Sequence, residues 1–244
     1  LETGNSSKKE FIQVKGNSKD TVVTNRIFAL SINQYVRIIS LYKKPFQNVY
    51  NLCEDGAYID GTILSEITHK IPESALEALR KAQENGHKTF INTGRTICSV
   101  PPMIKRISFD GFLCGCGTHL IYGEQVVFHH SIPYERGREI IKSMKDCKVE
   151  GFLEGTEDIY YSNRISRLEP VESSRRYMAG LGLGREQAME DTGYDFDKIL
   201  IYIDKMADGE RFFKETEDVF NHIDRLGGVY ECVQKEYSKA TAIE

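Results

Sequence analysis

The chain has 244 residues, which is enough for one large domain or two modest ones with a sizeable buried core. Its 40% hydrophobic and 28% charged residues are typical of a globular protein and exclude a disordered or fibrous one. A net charge of −4 argues against a general nucleic-acid binder, and no apolar run reaches the roughly eighteen residues that cross a bilayer. Six cysteines without a signal peptide favour reduced thiols and a cytoplasmic location.

The beginning of the chain is basic, whereas the rest is acidic. Residues 1–46 carry eight Lys or Arg against three acidic residues, and this imbalance predicts a boundary near Pro45. Residues 1–20 are polar and predict a loose arm, while the apolar stretch 21–42 predicts a short packed helix or a pair of strands. A basic helix over residues 21–44 that lies on a membrane surface is the alternative interpretation.

The next segment has the pattern of a βαβ unit. Pro72 and the acidic Glu73 predict the start of a helix, and Gly86 predicts its end. Residues 88–92 predict a short strand that ends in the turn 93–95. Because functional groups collect at the carboxyl ends of parallel strands, we expect Asp60 and Thr93 to lie at such ends.

The middle of the chain predicts a compact α+β insert. Its predicted strands are 112–114, 120–122, 125–130, 152–153, 159–161, 198–203 and 229–233, and its predicted helices are 134–145, 175–190 and 210–223.

Three residues at separate strand or loop ends have the chemistry that phosphoryl transfer requires. This reaction needs a carboxylate for acid–base work, hydroxyl and amide donors for phosphate oxygens, and a cation for the developing negative charge. Asp60, Thr93 and Lys239 supply these three functions. Each is a weak signal alone, because Asp-Gly-Thr is usually a turn and a terminal lysine is usually solvated.

Taken in order, the motifs resemble the haloacid dehalogenase-like superfamily, specifically the Cof-type (subclass IIB) phosphatases. The resemblance rests on Asp60-Gly61-Thr62-Ile63-Leu64, on residues 71–79, on Asn92-Thr93-Gly94-Arg95, on residues 110–117 and on Ser238-Lys239-Ala240-Thr241-Ala242-Ile243. It implies an α/β fold with an incomplete Rossmann-like parallel-sheet core and an inserted α+β cap domain. We expect the core to comprise residues 59–107 and 234–244 and the cap residues 108–233, after a basic N-terminal segment of residues 1–58 without the resemblance.

The resemblance also implies a reaction and the residues that carry it. Members of the family are Mg²⁺-dependent phosphatases of small phosphorylated metabolites such as sugar phosphates. Asp60 would be the general acid–base and a Mg²⁺ ligand, Thr93 would bind the transferring phosphoryl group, and Lys239 would steady it. Thr62, Gly94 and Arg95 would contribute to substrate binding, and the cap would close over the site and set its specificity. The identity of the substrate and the oligomeric state are left open.

The sequence departs from the family pattern at two places. Tyr58 stands where the family has its nucleophilic aspartate, and a phenol with an ordinary pKa near 10 is a poor replacement for that carboxylate. The chain also stops at Glu244, before the family's last acidic motif. We therefore expect a fragment or an impaired enzyme with little turnover. The alternatives are a non-catalytic protein that binds a phosphorylated metabolite, or a non-functional fragment.

Two other groups of residues are weighed as metal or redox sites. We interpret Cys114 and Cys116 as small residues at a turn and not as a metal or redox pair, because no second Cys or His pair stands at zinc spacing. His129 and His130 are adjacent on a predicted strand, so their side chains face opposite sides and do not share a metal.

Overall fold

The computed structural model describes residues 71–241, together with the backbone of residues 28–30 and 38–39. In chain order the elements are β1 (Phe28–Leu30), β2 (Ile38–Ile39), α1 (Glu73–Glu84), β3 (Thr89–Asn92), α2 (Pro102–Lys105), β4 (Gly111–Cys114), β5 (His119–Tyr122), β6 (Gln125–His129), α3 (Tyr134–Asp146), β7 (Glu150–Glu154), β8 (Ile159–Tyr161), α4 (Glu169–Gly180), β9 (Lys198–Tyr202), α5 (Gly209–Thr216), β10 (Phe220–Asp224) and β11 (Val229–Gln234). Within these residues no helix is long and apolar enough to cross a membrane.

The first sheet has six strands in the order β2-β1-β3-β4-β5-β6. Its centre is parallel, because β3 pairs in parallel with both β1 and β4, while the remaining pairs are antiparallel. Helix α1 precedes β3 and packs its apolar face under the sheet, where Leu79 joins Ile91, Ile104 and Cys114 in one buried cluster. This parallel arrangement confirms the predicted Rossmann-like core.

The second sheet has five antiparallel strands in the order β10-β11-β9-β7-β8. Side chains alternate between its two faces, as expected for strands that are covered on both sides. One face, with Leu153 and Ile199, packs against α3 and α5, whereas the other, with Phe152 and Leu200, packs against α4. The predicted α+β insert is therefore a separate layer with its own core, and we call it the cap.

The start of the cap differs from the position predicted at residue 108. Strands β4, β5 and β6 are hydrogen-bonded to the first sheet, so the chain passes into the second sheet only after His129. Sequence periodicity identified these three strands but could not assign their sheet, because sheet membership depends on pairing with residues far away in the chain.

Two of the predicted helices are wrong in their bounds. The helix predicted over 175–190 is α4, which begins at Glu169 and ends at Gly180, before a glycine-containing turn region. The helix predicted over 210–223 ends at Thr216, and its second half is strand β10. In both cases, residues spaced like one face of a single long helix belong to a shorter helix and to the segment that follows it.

The N-terminal prediction is confirmed in part. Strands β1 and β2 form the strand pair that the stretch 21–42 allowed, and β1 joins the first sheet beside β3. The predicted arm over 1–20 and the motif residues Tyr58, Asp60 and Thr62 lie outside the described residues.

Candidate active site

Thr93 lies where the sequence predicts it, directly after the buried strand β3. The residue is fully buried, and its backbone N–H donates to the Leu113 carbonyl at 2.8 Å, which extends the parallel ladder by one residue. Its carbonyl accepts from the Cys116 N–H at 3.2 Å. Its hydroxyl oxygen accepts from the Arg95 N–H at 3.1 Å, so the turn fixes the position of the Thr93 side chain.

Gly94 occupies a position with little space for a side chain. A Cβ atom there would lie 3.1 Å from the Cys116 sulfur and 3.2 Å from a carboxylate oxygen of Glu231. Arg95 follows, and its carbonyl accepts from the Gly115 N–H at 2.8 Å. The turn 93–95 is thus held against the loop after β4, and its backbone approaches the cap closely.

The backbone of Lys239 is hydrogen-bonded at the same end of the sheet. The side-chain amide of Asn92, the last residue of β3, donates to the Lys239 carbonyl at 2.8 Å. Gly117 supports this contact, because its φ of +104° and its closeness to the Ser238 carbonyl leave no room for a Cβ. The hydroxyl of Ser238 in turn accepts the N–H groups of the two residues after Lys239. The structure therefore brings together Thr93 and Lys239, which are 146 residues apart in the sequence.

The environment of Lys239 makes its ammonium group easier to deprotonate. Burial lowers the pKa of Lys239 to about 8, and the nearby positive charges of Lys198 and Arg225 act in the same direction. The Glu231 carboxylate and the Cys116 thiol oppose this shift. A lysine with such a pKa is still mostly charged at neutral pH, but it loses its charge in mildly alkaline solution.

The cap contributes a buried group of charges directly above the turn 93–95. The Lys198 ammonium forms ion pairs with Glu231 and, at 3.3 Å, with Glu154. Arg225 pairs with the second oxygen of Glu231. Lys198 is 4%, Glu231 5% and Glu154 7% exposed, and the Lys198 ammonium also donates to the Gly94 carbonyl at 3.1 Å. We call Lys198, Glu231, Glu154 and Arg225 the cap charge network.

The pKa values within this network follow from burial and pairing together. Burial by itself raises the pKa of Glu231, but the Lys198 and Arg225 charges more than offset it and lower the pKa to about 2. Burial and the neighbouring Glu231 charge raise the pKa of Glu154. Burial disfavours the charged form of Lys198, yet the two carboxylates raise its pKa above the ordinary value.

A second polar contact joins the cap to the first sheet through the residue that precedes β9. The buried Asp197 carboxylate accepts from the Thr118 hydroxyl at 2.9 Å and from the His129 ring at 3.0 Å. The hydrogen bond to Asp197 raises the pKa of His129. This contact lies beside the point where the chain enters the cap.

The histidine and cysteine pairs weighed in the sequence analysis make contacts with other residues. His129 contacts Asp197, whereas His130 bonds to Gln234 at 2.8 Å. Cys116 is buried, which raises the pKa of its thiol to about 11. In the part of the chain that the structure describes, no group of three or more His, Cys, Asp or Glu side chains could hold a metal ion.

The predicted site is therefore partly assembled from described residues. Thr93, Gly94 and Arg95 form one turn, and Lys239 is tied to the strand that precedes it. Asp60 and Thr62 lie outside the described residues. Sequence reasoning did not select Lys198 or Glu231, because a lone lysine and a lone glutamate in alternating strands carry no motif. It left Glu154 open between the cap face and solvent, and the structure buries it.

Comparison with known proteins identifies the family. A family model described as haloacid dehalogenase-like hydrolase matches residues 58–244. The chain belongs to the haloacid dehalogenase-like hydrolases. The match begins at Tyr58, and the basic N-terminal segment lies outside it.

The relatives of this haloacid dehalogenase-like chain include two curated bacterial proteins. It is 29% identical over 90 residues to the Bacillus subtilis protein named "Putative phosphatase YkrA", a match covering 37% of this chain and 35% of that protein. It is 26% identical over 98 residues to "Pyridoxal phosphate phosphatase YbhA" of Escherichia coli, covering 39% of this chain and 36% of that protein. The matches thus span about a third of the curated relatives' length.

Solved structures share the fold. The structure of a haloacid dehalogenase subclass IIB sugar phosphatase, BT4131, superposes with a TM-score of 0.59 at 21% identity and covers 75% of this chain and 70% of its own. This likeness confirms the predicted combination of a parallel-sheet core and an inserted cap.

The residues described here do not by themselves provide a Mg²⁺ site. Mg²⁺ prefers oxygen ligands, with carboxylates foremost, whereas the described segments at the end of β3 carry the amide of Asn92 and the basic residues Arg95 and Lys239. The cap carboxylate of Glu231, which would lie 3.2 Å from a Cβ at Gly94, is engaged by two cations. The only ligand that the family resemblance implies, Asp60, lies outside the described residues.

Proposed function

We propose that this chain binds the phosphoryl group of a small phosphorylated metabolite, such as a sugar phosphate, and hydrolyses its monoester with Mg²⁺ as cofactor in the cytoplasm. The observation that carries the proposal is the convergence of Thr93 and Lys239 at the end of β3. A fixed hydroxyl group and a partly buried ammonium group, carried by two segments that meet at this strand end, suit phosphate oxygens and the negative charge that develops on them during transfer.

The relatives support the substrate class. One curated relative is named for pyridoxal phosphate, and one structural neighbour is a sugar phosphatase. Both names describe small molecules that carry a phosphate monoester. The chain's net charge of −4 agrees with a small-molecule substrate rather than a nucleic acid.

Each residue has a distinct part in the proposed reaction. The Thr93 hydroxyl oxygen accepts the Arg95 N–H, and in the proposed reaction the hydroxyl donates its proton to a phosphoryl oxygen. Lys239 offers its charge to the same group, and Thr62, Gly94 and Arg95 contribute further contacts. Asp60 acts as acid and base and, by resemblance, as the residue that would hold Mg²⁺.

We expect turnover to be slow. Tyr58 stands at the position of the family's nucleophile, and its phenol does not form the acyl phosphate that an aspartate forms. Binding of the phosphoryl group depends on the Thr93 turn and not on this position, so binding is expected to survive where turnover is weak.

Hydrolysis of p-nitrophenyl phosphate by the full chain tests the proposal. We expect slow hydrolysis that requires Mg²⁺ and falls about tenfold or more in Thr93→Val, the scale of a lost hydrogen bond to a charged group. Thr96→Val is the matched control, because Thr96 is another buried threonine three residues away. A rate that survives EDTA overturns the role of Mg²⁺, and equal loss in the two variants overturns the role of Thr93.

A second candidate function is binding without turnover, and the tyrosine at position 58 is the observation that favours it. Thermal unfolding in the presence of glucose 6-phosphate, with glucose as control, separates the two functions. Saturable stabilisation by the phosphate ester without release of inorganic phosphate would assign the chain as a binding protein.

A further inference from the structure

The peptide unit between Gly94 and Arg95 is bonded at both of its ends. Its N–H, which belongs to Arg95, donates to the Thr93 hydroxyl oxygen at 3.1 Å. Its carbonyl, which belongs to Gly94, accepts from the Lys198 ammonium at 3.1 Å. A trans peptide is planar, and its N–H and C=O point in opposite directions. The orientation of one bond therefore determines the orientation of the other.

The other two carbonyl groups of the turn are held by the first sheet. The Thr93 carbonyl accepts from Cys116, and the Arg95 carbonyl accepts from Gly115. The Gly94 carbonyl lies between them and is held by a residue of the cap. The rotation of this central peptide thus depends on a residue that comes more than a hundred positions later in the chain.

Lys198 is itself held in one position. Its ammonium has three donors, and they have partners in Glu231, Glu154 and the Gly94 carbonyl. The residue lies at the first position of β9, directly opposite Glu154 on β7, so the sheet register sets its height above the turn. A hydrogen bond from a charged donor to a buried carbonyl is stronger than one between neutral groups.

We infer that Lys198, through the Gly94–Arg95 peptide, positions the Thr93 hydroxyl for the phosphoryl group, so that the cap completes a binding site whose contacts lie in the core. The inference rests on the proposed phosphate-binding function of Thr93. Lys198 does not touch the substrate in this arrangement. It acts on the peptide that accepts its hydrogen bond, and that peptide acts on Thr93.

The test uses the full chain with Lys198→Met, which keeps the length of the side chain and removes its charge and donors. Lys205→Met is the matched control, because Lys205 is an exposed cap lysine shortly after β9. Lys198→Arg restores a charged donor. The double variant Lys198→Met with Glu231→Gln removes one charge of each sign, and it serves if the single variant does not fold because a carboxylate is left unpaired.

The first measurement follows the Arg95 amide by NMR in protein labelled with ¹⁵N-arginine, with the signal assigned from Arg95→Lys. We expect the Arg95 amide signal to move upfield and the amide proton to exchange faster with solvent in Lys198→Met and in the double variant, because the hydrogen bond to the Thr93 hydroxyl loosens. It should stay in place in Lys205→Met and return towards its original position in Lys198→Arg. An Arg95 signal that is unchanged by loss of Lys198 overturns the inference.

The second measurement determines the affinity for inorganic phosphate and the kinetics with p-nitrophenyl phosphate. We expect Lys198→Met to weaken phosphate binding about tenfold, the scale of one charged hydrogen bond, with a rise in KM and a fall in kcat. If Lys198→Met folds and its phosphate affinity, KM and kcat are unchanged, the inference is overturned, whereas the activity of the wild-type chain still supports the proposed function. If wild-type protein neither binds phosphate nor hydrolyses the ester, the proposed function fails, and the inferred link to Thr93 is then decided by the Arg95 amide.

Discussion

Glu231→Gln is the substitution that tests the cap charge network most directly, because it removes one charge and almost no volume. The pKa of Glu231 falls from an ordinary 4.5 to about 2 in the folded chain, since Lys198 and Arg225 stabilise its charged form more than burial destabilises it. Each pKa unit corresponds to about 1.4 kcal/mol, so the ionised side chain contributes about 3 kcal/mol to the free energy of unfolding. Only 5% of Glu231 is exposed, so solvent screening reduces this contribution little.

The sign of the shift fixes the pH dependence. A lowered carboxyl pKa stabilises the fold fully above the unfolded value of 4.5, and this stabilisation is lost as the pH falls through about 2. Urea unfolding should therefore show Glu231→Gln to be about 3 kcal/mol less stable than wild type at neutral pH and about 2 kcal/mol less stable near pH 3.5.

The matched control is Glu217→Gln, which changes an exposed glutamate of the cap, and we expect it to alter stability by less than about 0.5 kcal/mol. A Glu231→Gln variant as stable as this control would refute the assignment of Glu231 as a buried, paired charge. A deficit that grows as the pH falls towards 3.5 would refute the direction of the pKa shift.

Three further predictions concern the contacts around the site. Gly117→Ala should lower the free energy of unfolding in urea by about 2 kcal/mol or more and weaken phosphate binding, because its Cβ would lie 2.3 Å from the Ser238 carbonyl. The control Gly123→Ala, also at positive φ but in open space, should lower it less. His129→Gln should lower the melting temperature most below about pH 6.5 and progressively less above it, because the raised pKa of His129 gives stability that is lost as the pH rises through the pKa of the folded state. An equal fall in melting temperature at about pH 6 and 9 would contradict this. The KM for p-nitrophenyl phosphate should rise as the pH passes about 8, where Lys239 loses its charge, and Lys239→Arg should remove this rise in KM. The same rise in the variant would assign it to another group.

Local sequence patterns predicted most elements of the fold, since they depend on nearby residues. The spacing of Leu79 and Ala82 together with Gly86 gave helix α1, and the short apolar run before Thr93 gave β3. The assignment of β4–β6 to the first sheet could not be predicted in this way. It is determined by hydrogen bonds between strands and not by the composition of any one of them.

The site shows the same division between local and distant information. Thr93 and Lys239 were predicted because each belongs to a motif whose residue types are demanded by phosphate chemistry. Lys198 and Glu231 belong to alternating strands, where a single charged residue normally indicates a solvent-facing position. Their burial arises because the end of the cap sheet meets the turn of the core, and this contact exists only in the assembled fold.

The cap charge network also determines what must break if the cap moves away from the Thr93 turn. Its four residues all lie within the cap, so their ion pairs can move together as one unit. Two contacts join the network to the core: Lys198 donates to the Gly94 carbonyl, and the Cys116 thiol makes a long contact of 3.8 Å with Glu231. The first contributes about 1.5–3 kcal/mol, and water can replace it on separation. Breaking the hydrogen bond between Lys198 and the Gly94 carbonyl is therefore inexpensive, whereas a substitution inside the network is costly because it leaves a charge unpaired within the cap.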